Sequence, residues 1–275
     1  MRSRVKPSRL ILRATALLPL VLAGCGGLRT EATALGILAP PARPVPVVLA
    51  PDEAYARGRA AEDAGDAAAA EHFFITAAEG GNMDARLRLG SMYLAGTTVN
   101  RNYAEALHWL EPAARAGNAE AQTRVGLIYD LGGSGVLRSP DQALDWYGRA
   151  AAQGNAMAQY REGALILQAT MGREDPARSL KLFRAAAVQG HPQAQTALGL
   201  LYLQGRGVAT NTAEGLTWLR RGADNGDPDA MVQLGRVYWE GLVVGKNIQE
   251  GTHWLQRAEA LGSEEARHQL ALPPS

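Results

Sequence analysis

One cysteine, three phenylalanines and five histidines are all that 275 residues contain of these types. A single cysteine excludes an intramolecular disulfide framework and a thiolate cage for a metal. The histidines, His72, His108, His191, His253 and His268, are scattered. No HExxH pair, phosphate loop, dinucleotide fingerprint or nucleophile elbow accompanies them, so no enzyme class and no cofactor is indicated. Charge is sparse at 20% of residues, and the net of +1 conceals an asymmetry. Residues 1–24 carry five basic residues and no acid, which leaves 23 basic against 27 acidic residues in the remainder. A mildly acidic body without a basic tract excludes nucleic-acid binding by charge. The apolar run from Ala14 to Ala23 is half the length that a spanning helix needs, about 20 residues.

That run has a specific setting. Arg2, Arg4, Lys6, Arg9 and Arg13 precede it, and Leu22-Ala23-Gly24-Cys25 follows. Basic-then-apolar order reads as a secretory signal over residues 1–24. An ordinary cleaved signal with an incidental cysteine is the plainer alternative. Leu-Ala-Gly-Cys resembles the lipobox of bacterial lipoproteins, and the resemblance implies that Cys25 is lipidated and becomes the first mature residue. Gly26 in place of Asp then implies the outer membrane, with the body facing the periplasm. Residues 25–51 include Pro40, Pro41, Pro44, Pro46 and Pro51 without helical phase. Proline blocks helix continuation, so this stretch is expected to be a flexible tether.

The rest of the chain is periodic. Ala85, Ala121, Ala158, Ala194, Ala230 and Ala266 recur at 36 residues, once at 37. Gly81, Gly117, Gly154, Gly190, Gly226 and Gly262 keep the same phase, and Phe73, Trp109, Trp146, Phe183, Trp218 and Trp254 form an aromatic column. A period in this range marks a repeat array whose units bury their apolar faces against their neighbours. In 191–226, Ala194, Leu198, Leu201 and Tyr202 share one helical face, while Gly199 leaves room for a second helix. Gly205-Arg206-Gly207 ends this helix A, and Asn211 opens a helix B carrying Leu216, Trp218 and Leu219. Caps recur before helix A (Asn82, Asn118, Asn155, His191, Asp227, Ser263) and helix B (Asn102, Ser139, Asp175, Asn211, Asn247).

The pattern A-x-x-x-L-G-x-x-Y-x-x-G, followed by Trp and Ala-Ala-x-x-Gly, resembles the Sel-one-like repeats, relatives of tetratricopeptide repeats. The resemblance implies an all-α, right-handed solenoid of antiparallel helix pairs that works as a protein-interaction scaffold. Residues 52–81 resemble a tetratricopeptide unit and are expected to cap the array. Five repeats then fill 82–262, and a closing helix and tail occupy 263–275. The unit at 155–190 departs from the pattern, with Glu162 at the Leu position and Ile166 at the Tyr position. A carboxylate in a packed column is costly unless paired, so either helix A turns to expose Glu162 or an arginine meets it.

If the A helices line the concave face, Arg88, Arg124 and Arg161 fall on successive units about 10 Å apart. Guanidinium pairs bidentately with carboxylate, so this row suits an acidic peptide or a uronate. A solvated or helix-paired row is the alternative. Gln122, Gln159, Gln195, Arg236 and Trp239 are further partner-binding candidates, and the aromatic columns read as core. Combined with the lipobox, the pattern resembles the alginate-secretion scaffold lipoproteins, which organise exopolysaccharide export. The expected partners are thus envelope proteins and, through lipid, a membrane. A binder of peptidoglycan or acidic polysaccharide is the second reading. Cysteine-rich members of the repeat family have been linked to β-lactam hydrolysis, but their disulfide-forming cysteines are missing here.

Overall fold

Twelve of the thirteen helices among the described residues are 13 residues long. The computed structural model describes residues 49–168, 174–241 and 243–272. Cys25, the tether before residue 49, residues 169–173 and Pro273-Pro274 lie outside them. The helices are α1 (Pro51–Asp63), α2 (Ala67–Glu79), α3 (Met83–Ala95), α4 (Tyr103–Arg115), α5 (Ala119–Leu131), α6 (Pro140–Ala152) and α7 (Ala156–Gln168). They continue with α8 (Pro176–Val188), α9 (Pro192–Gln204), α10 (Thr212–Asp224), α11 (Pro228–Glu240), α12 (Ile248–Ala260) and the short α13 (Glu264–Leu270). No strand occurs among the described residues; one isolated bridge joins Gly133 and Val136.

The caps act as the sequence suggests. Asn82, Asn118 and Asn155 accept from the backbone N–H three residues on, at 2.8, 2.8 and 2.9 Å. Asn102, Ser139, Asp175, Asn211 and Asn247 do the same for the B helices. Each cap satisfies a first-turn donor that would otherwise be orphaned. At the far end of helix B, the glycine column from Gly81 to Gly262 holds φ between 88° and 98°, which residues with a Cβ rarely adopt.

Odd-numbered helices (A) and even-numbered helices (B) pair antiparallel, and each pair packs on the next. The seam within a pair is a glycine on helix A under a large side chain of helix B: Gly90 under Leu110, Gly126 under Tyr147, Gly163 under Phe183, Gly199 under Leu219 and Gly235 under Leu255. At Gly199 an added Cβ would lie 2.8 Å from the Gly215 carbonyl oxygen and 2.9 Å from Leu219 Cγ. This register corrects the aromatic column. Phe183 packs with the Tyr147 and Leu219 column, so Leu182 is the residue in phase with Trp146 and Trp218. Matching on aromatic character selects Phe183, whereas the even 36-residue spacing selects Leu182. Trp218 and Trp254 are buried, as expected of core.

The single 37-residue spacing has a local cause. The loop between α5 and α6 spans 132–139, eight residues, whereas 205–211 and 241–247 span seven. The extra residue is absorbed in a tight turn with Ser134 at φ 49°. Helix phase is therefore preserved on both sides of it.

Candidate interaction groove

Successive A helices approach one another, α3 touching α5 and α9 touching α11, while no two B helices meet as closely. The A helices thus form the inner face, where the arginine row was expected. Its three members have different surroundings. Arg88 donates through Nε to Glu62 of α1 at 2.8 Å, and a second nitrogen also reaches that carboxylate. Arg124 pairs with Glu120 one turn earlier at 2.6 Å. Arg161 has Met157 one turn earlier instead of a carboxylate, and among the described residues it forms no ion pair. Its guanidinium lies 5.8 Å from the Tyr160 ring centroid. The row therefore holds one guanidinium without an ion pair rather than a continuous ladder, because methionine stands at i−4 where Arg124 has glutamate.

Arg124 and Arg161 meet in one groove of about 500 Å³ between α5 and α7, also lined by Leu94, Glu120, Thr123, Leu127, Tyr147, Asn155 and Met157. Arg88 is not among its walls. Tyr147, fully buried, belongs to the seam column over Gly126. Its hydroxyl has no hydrogen-bond partner, a state it shares among the described residues only with Trp109 Nε1. Burial, with the Asp130 carboxylate nearby, pushes the Tyr147 phenol well above its ordinary pKa, partly opposed by Arg161. The hydroxyl is therefore a protonated donor. Leaving such a group unpaired costs roughly 1–3 kcal/mol. Spacing in the sequence gives no hint of this, since tyrosine here reads as one more large core residue.

The glutamines are interior rather than part of the face, which corrects their assignment as partner-binding candidates. Gln122, Gln159 and Gln195 are buried. Each donates to a carbonyl at the end of the preceding helix B, Ala114, Ala151 and Ala187, at 3.0, 3.3 and 3.1 Å. Each also accepts from the following helix B, from Gln153, Gln189 and Asn225, at 2.8, 2.9 and 2.8 Å. Both ends of every amide are occupied, so four consecutive B helices, α4, α6, α8 and α10, are tied through one A-helix column. Arg86 makes the first half of the same tie, donating to Ala78 at 3.2 Å.

Arg236 reaches Glu240 at 3.8 Å and Glu265 at 4.0 Å. Trp239 is half-buried against the last core cluster, and its backbone N and Cβ crowd Gly251. It stands where Leu203 stands one unit earlier, again a packing position.

Beside the groove, Tyr160 stacks on His191, with centroids 4.9 Å apart. Burial and the Arg161 charge hold the His191 ring below its ordinary pKa. Burial raises the Asp227 carboxyl, which accepts from Thr196 Oγ1. A wider hollow of about 680 Å³ lies at the loop edge between α2 and the loop after α3, but its Tyr93 and Glu71 are already joined at 2.5 Å. The described residues contain no cluster of metal-ligating side chains and no helix long and apolar enough to cross a membrane.

Stacked antiparallel helix pairs with a grooved inner face define an α-solenoid of the interaction class. The chain belongs to the Sel1 repeat family, whose pattern matches residues 84–118, 119–155, 156–191, 192–227 and 228–263. The unit containing Glu162 is therefore a family repeat like the others. A Sel1 repeat protein from Oxalobacter formigenes has a similar structure, with 29% identity, a TM-score of 0.68, and coverage of 76% of this chain and 84% of that one. The protein c5321, a protective antigen of uropathogenic Escherichia coli with an SLR fold, is 26% identical with a TM-score of 0.66. That match covers 80% of this chain and 48% of c5321. No functionally curated protein matches the sequence. Sel1 repeat proteins generally mediate protein–protein interactions.

Proposed function

We propose that this chain is a non-enzymatic scaffold of the bacterial envelope, lipid-anchored at Cys25, that binds protein partners on its A-helix face. One observation carries the choice of face: Arg161 stands without an ion pair in a groove, while the glutamines are held by hydrogen bonds, Trp218 and Trp254 by packing and Arg88 by an ion pair. The envelope setting rests on the basic-then-apolar start and the Leu-Ala-Gly-Cys motif. The finer version, a platform for exopolysaccharide export, rests on the resemblance to the alginate-secretion scaffolds.

Cross-linking of the full chain in envelope preparations tests the reading, comparing the native form with Arg124→Glu combined with Arg161→Glu. Loss of the cross-linked partner set supports an A-face scaffold, and an unchanged set refutes the face. Palmitate labelling of the native chain against Cys25→Ser tests the anchor; equal labelling overturns it. The same guanidinium groups suit uronates, which keeps acidic polysaccharide as a second reading. Retention of an oligouronate, abolished by the arginine changes, would favour it.

A further inference from the structure

The inner-face groove contains a feature that packing does not require. Its floor residue, Tyr147, fills a seam position held elsewhere by Leu110, Phe183, Leu219 and Leu255, none of which carries a hydroxyl. The ring alone would complete the seam. The hydroxyl is buried, protonated and without an acceptor, in a residue that lines the groove shared with Arg161. The second donor, the Arg161 guanidinium, lacks an anion because Met157 replaces the carboxylate that Glu120 supplies to Arg124. Met157 is 44% exposed. With Leu94 and Leu127 it gives the groove an apolar wall next to its positive charge.

Two unmatched donors beside an apolar wall define a complement: an anion with an apolar group at its side. We infer that the groove between α5 and α7 binds a peptide segment carrying a carboxylate next to an apolar side chain. Arg161 and the Tyr147 hydroxyl hold the carboxylate, and Leu94, Leu127 and Met157 receive the apolar group. Guanidinium and phenol can each donate to a different carboxylate oxygen, which satisfies the hydroxyl and neutralises the guanidinium in one step. The carboxylate comes either from a chain terminus or from an acidic side chain. This inference rests on the A-face scaffold reading and narrows it to one chemistry.

The test titrates the full chain with short peptides, followed by isothermal calorimetry. One probe is a pentapeptide ending in Leu-Leu with a free carboxyl terminus, paired with its C-terminal amide. Another is an acetylated, amidated peptide containing Leu-Glu, paired with its Leu-Gln form. Binding by a carboxylate probe and at least tenfold weaker binding by its neutral partner is expected, and the pair that discriminates identifies the source. Arg161→Ala should weaken the binding probe at least tenfold, with Arg161→Lys intermediate. Tyr147→Phe should weaken it about threefold to tenfold while raising the thermal midpoint, since it deletes an unsatisfied group. Equal binding by neutral probes, no binding by either carboxylate probe, or indifference to Arg161→Ala would overturn the inference. So would an oligouronate that binds the groove when neither peptide does. If neither peptide binds but cross-linked partners persist in both single variants, the scaffold reading survives and this site fails. Loss of all partners from the native chain refutes the scaffold itself.

Discussion

Arg178 of α8 donates to the carboxylate of Glu162 on α7 at 2.5 Å, across the position where other units hold Leu89, Val125, Leu198 or Leu234. The Glu162 side chain is only 4% exposed, whereas that of Arg178 is 58% exposed. The broken repeat is thus an ion pair inserted into an apolar column, with α7 continuous throughout.

Removing one partner leaves a buried charge unmatched. Arg178→Ala is expected to destabilise the array by about 1–3 kcal/mol, less than for a fully buried pair because Arg178 faces water. Glu162→Leu, which restores the column, should be neutral or stabilising, and so should the double change. Urea unfolding of the three variants checks this, and an Arg178→Ala form as stable as native would contradict it.

Gly199→Ala is expected to cost about 1–3 kcal/mol, because the new methyl meets the Gly215 carbonyl and the Leu219 side chain inside normal contact. Gly117→Ser, where nothing lies within 4 Å of the added Cβ, meets only backbone strain at φ 98° and should cost roughly 1 kcal/mol. Thermal melts distinguish the two; equal shifts would mean that packing at the seam is loose.

Gln195→Ala breaks two hydrogen bonds and strands the Asn225 amide. Stability should fall by about 1–3 kcal/mol while partner or peptide binding, measured on the folded form, stays unchanged. A binding loss without a stability loss would restore the glutamine to the face.

His191 titrates with a defined sign. Its ring is held below the ordinary histidine pKa, so the unfolded chain takes up a proton at higher pH than the folded one. The associated stability is complete above about pH 6.5 and is lost as pH falls through the lowered folded value. Asp227, whose carboxyl is raised, acts in the opposite sense at lower pH: its contribution is present in acid and lost as pH rises through the folded value. Denaturant midpoints should therefore decline from pH 7 towards pH 5 in the native chain. His191→Asn, which keeps a capping side chain as at Asn155, should flatten that decline; an unaltered slope would refute the assignment.

Much of this architecture was legible in the residues. Caps such as Asn211 and stops such as Gly226 are local, chemically specific and read directly, and the alanine period set the unit length. What residue character could not resolve was the direction of side chains one position apart. Phe183 and Leu182 both face inward; Leu182 keeps the even 36-residue spacing to Trp146 and Trp218, and the placement of Gly163 under Phe183 assigns the seam. Gln122, Gln159 and Gln195 looked like surface residues because polarity usually marks the surface. Their burial depends on carbonyls and amides supplied by neighbouring units, which a single repeat does not display. The groove was half legible: Arg124 and Arg161 were in view, but the role of Met157 and the unmatched Tyr147 hydroxyl emerges only from three-dimensional placement.

The extra residue between α5 and α6 sets a rule for altering this protein. Helix phase survives that insertion, and Leu137, beside the turn, is 87% exposed. Length added at Ser134-Gly135 is taken up in exposed backbone, where a Cβ added at Gly135 would meet nothing within 4 Å. This turn is therefore a permissive site, where a tag, a fluorophore-bearing segment or a second binding module can be grafted without displacing Arg124 relative to Arg161.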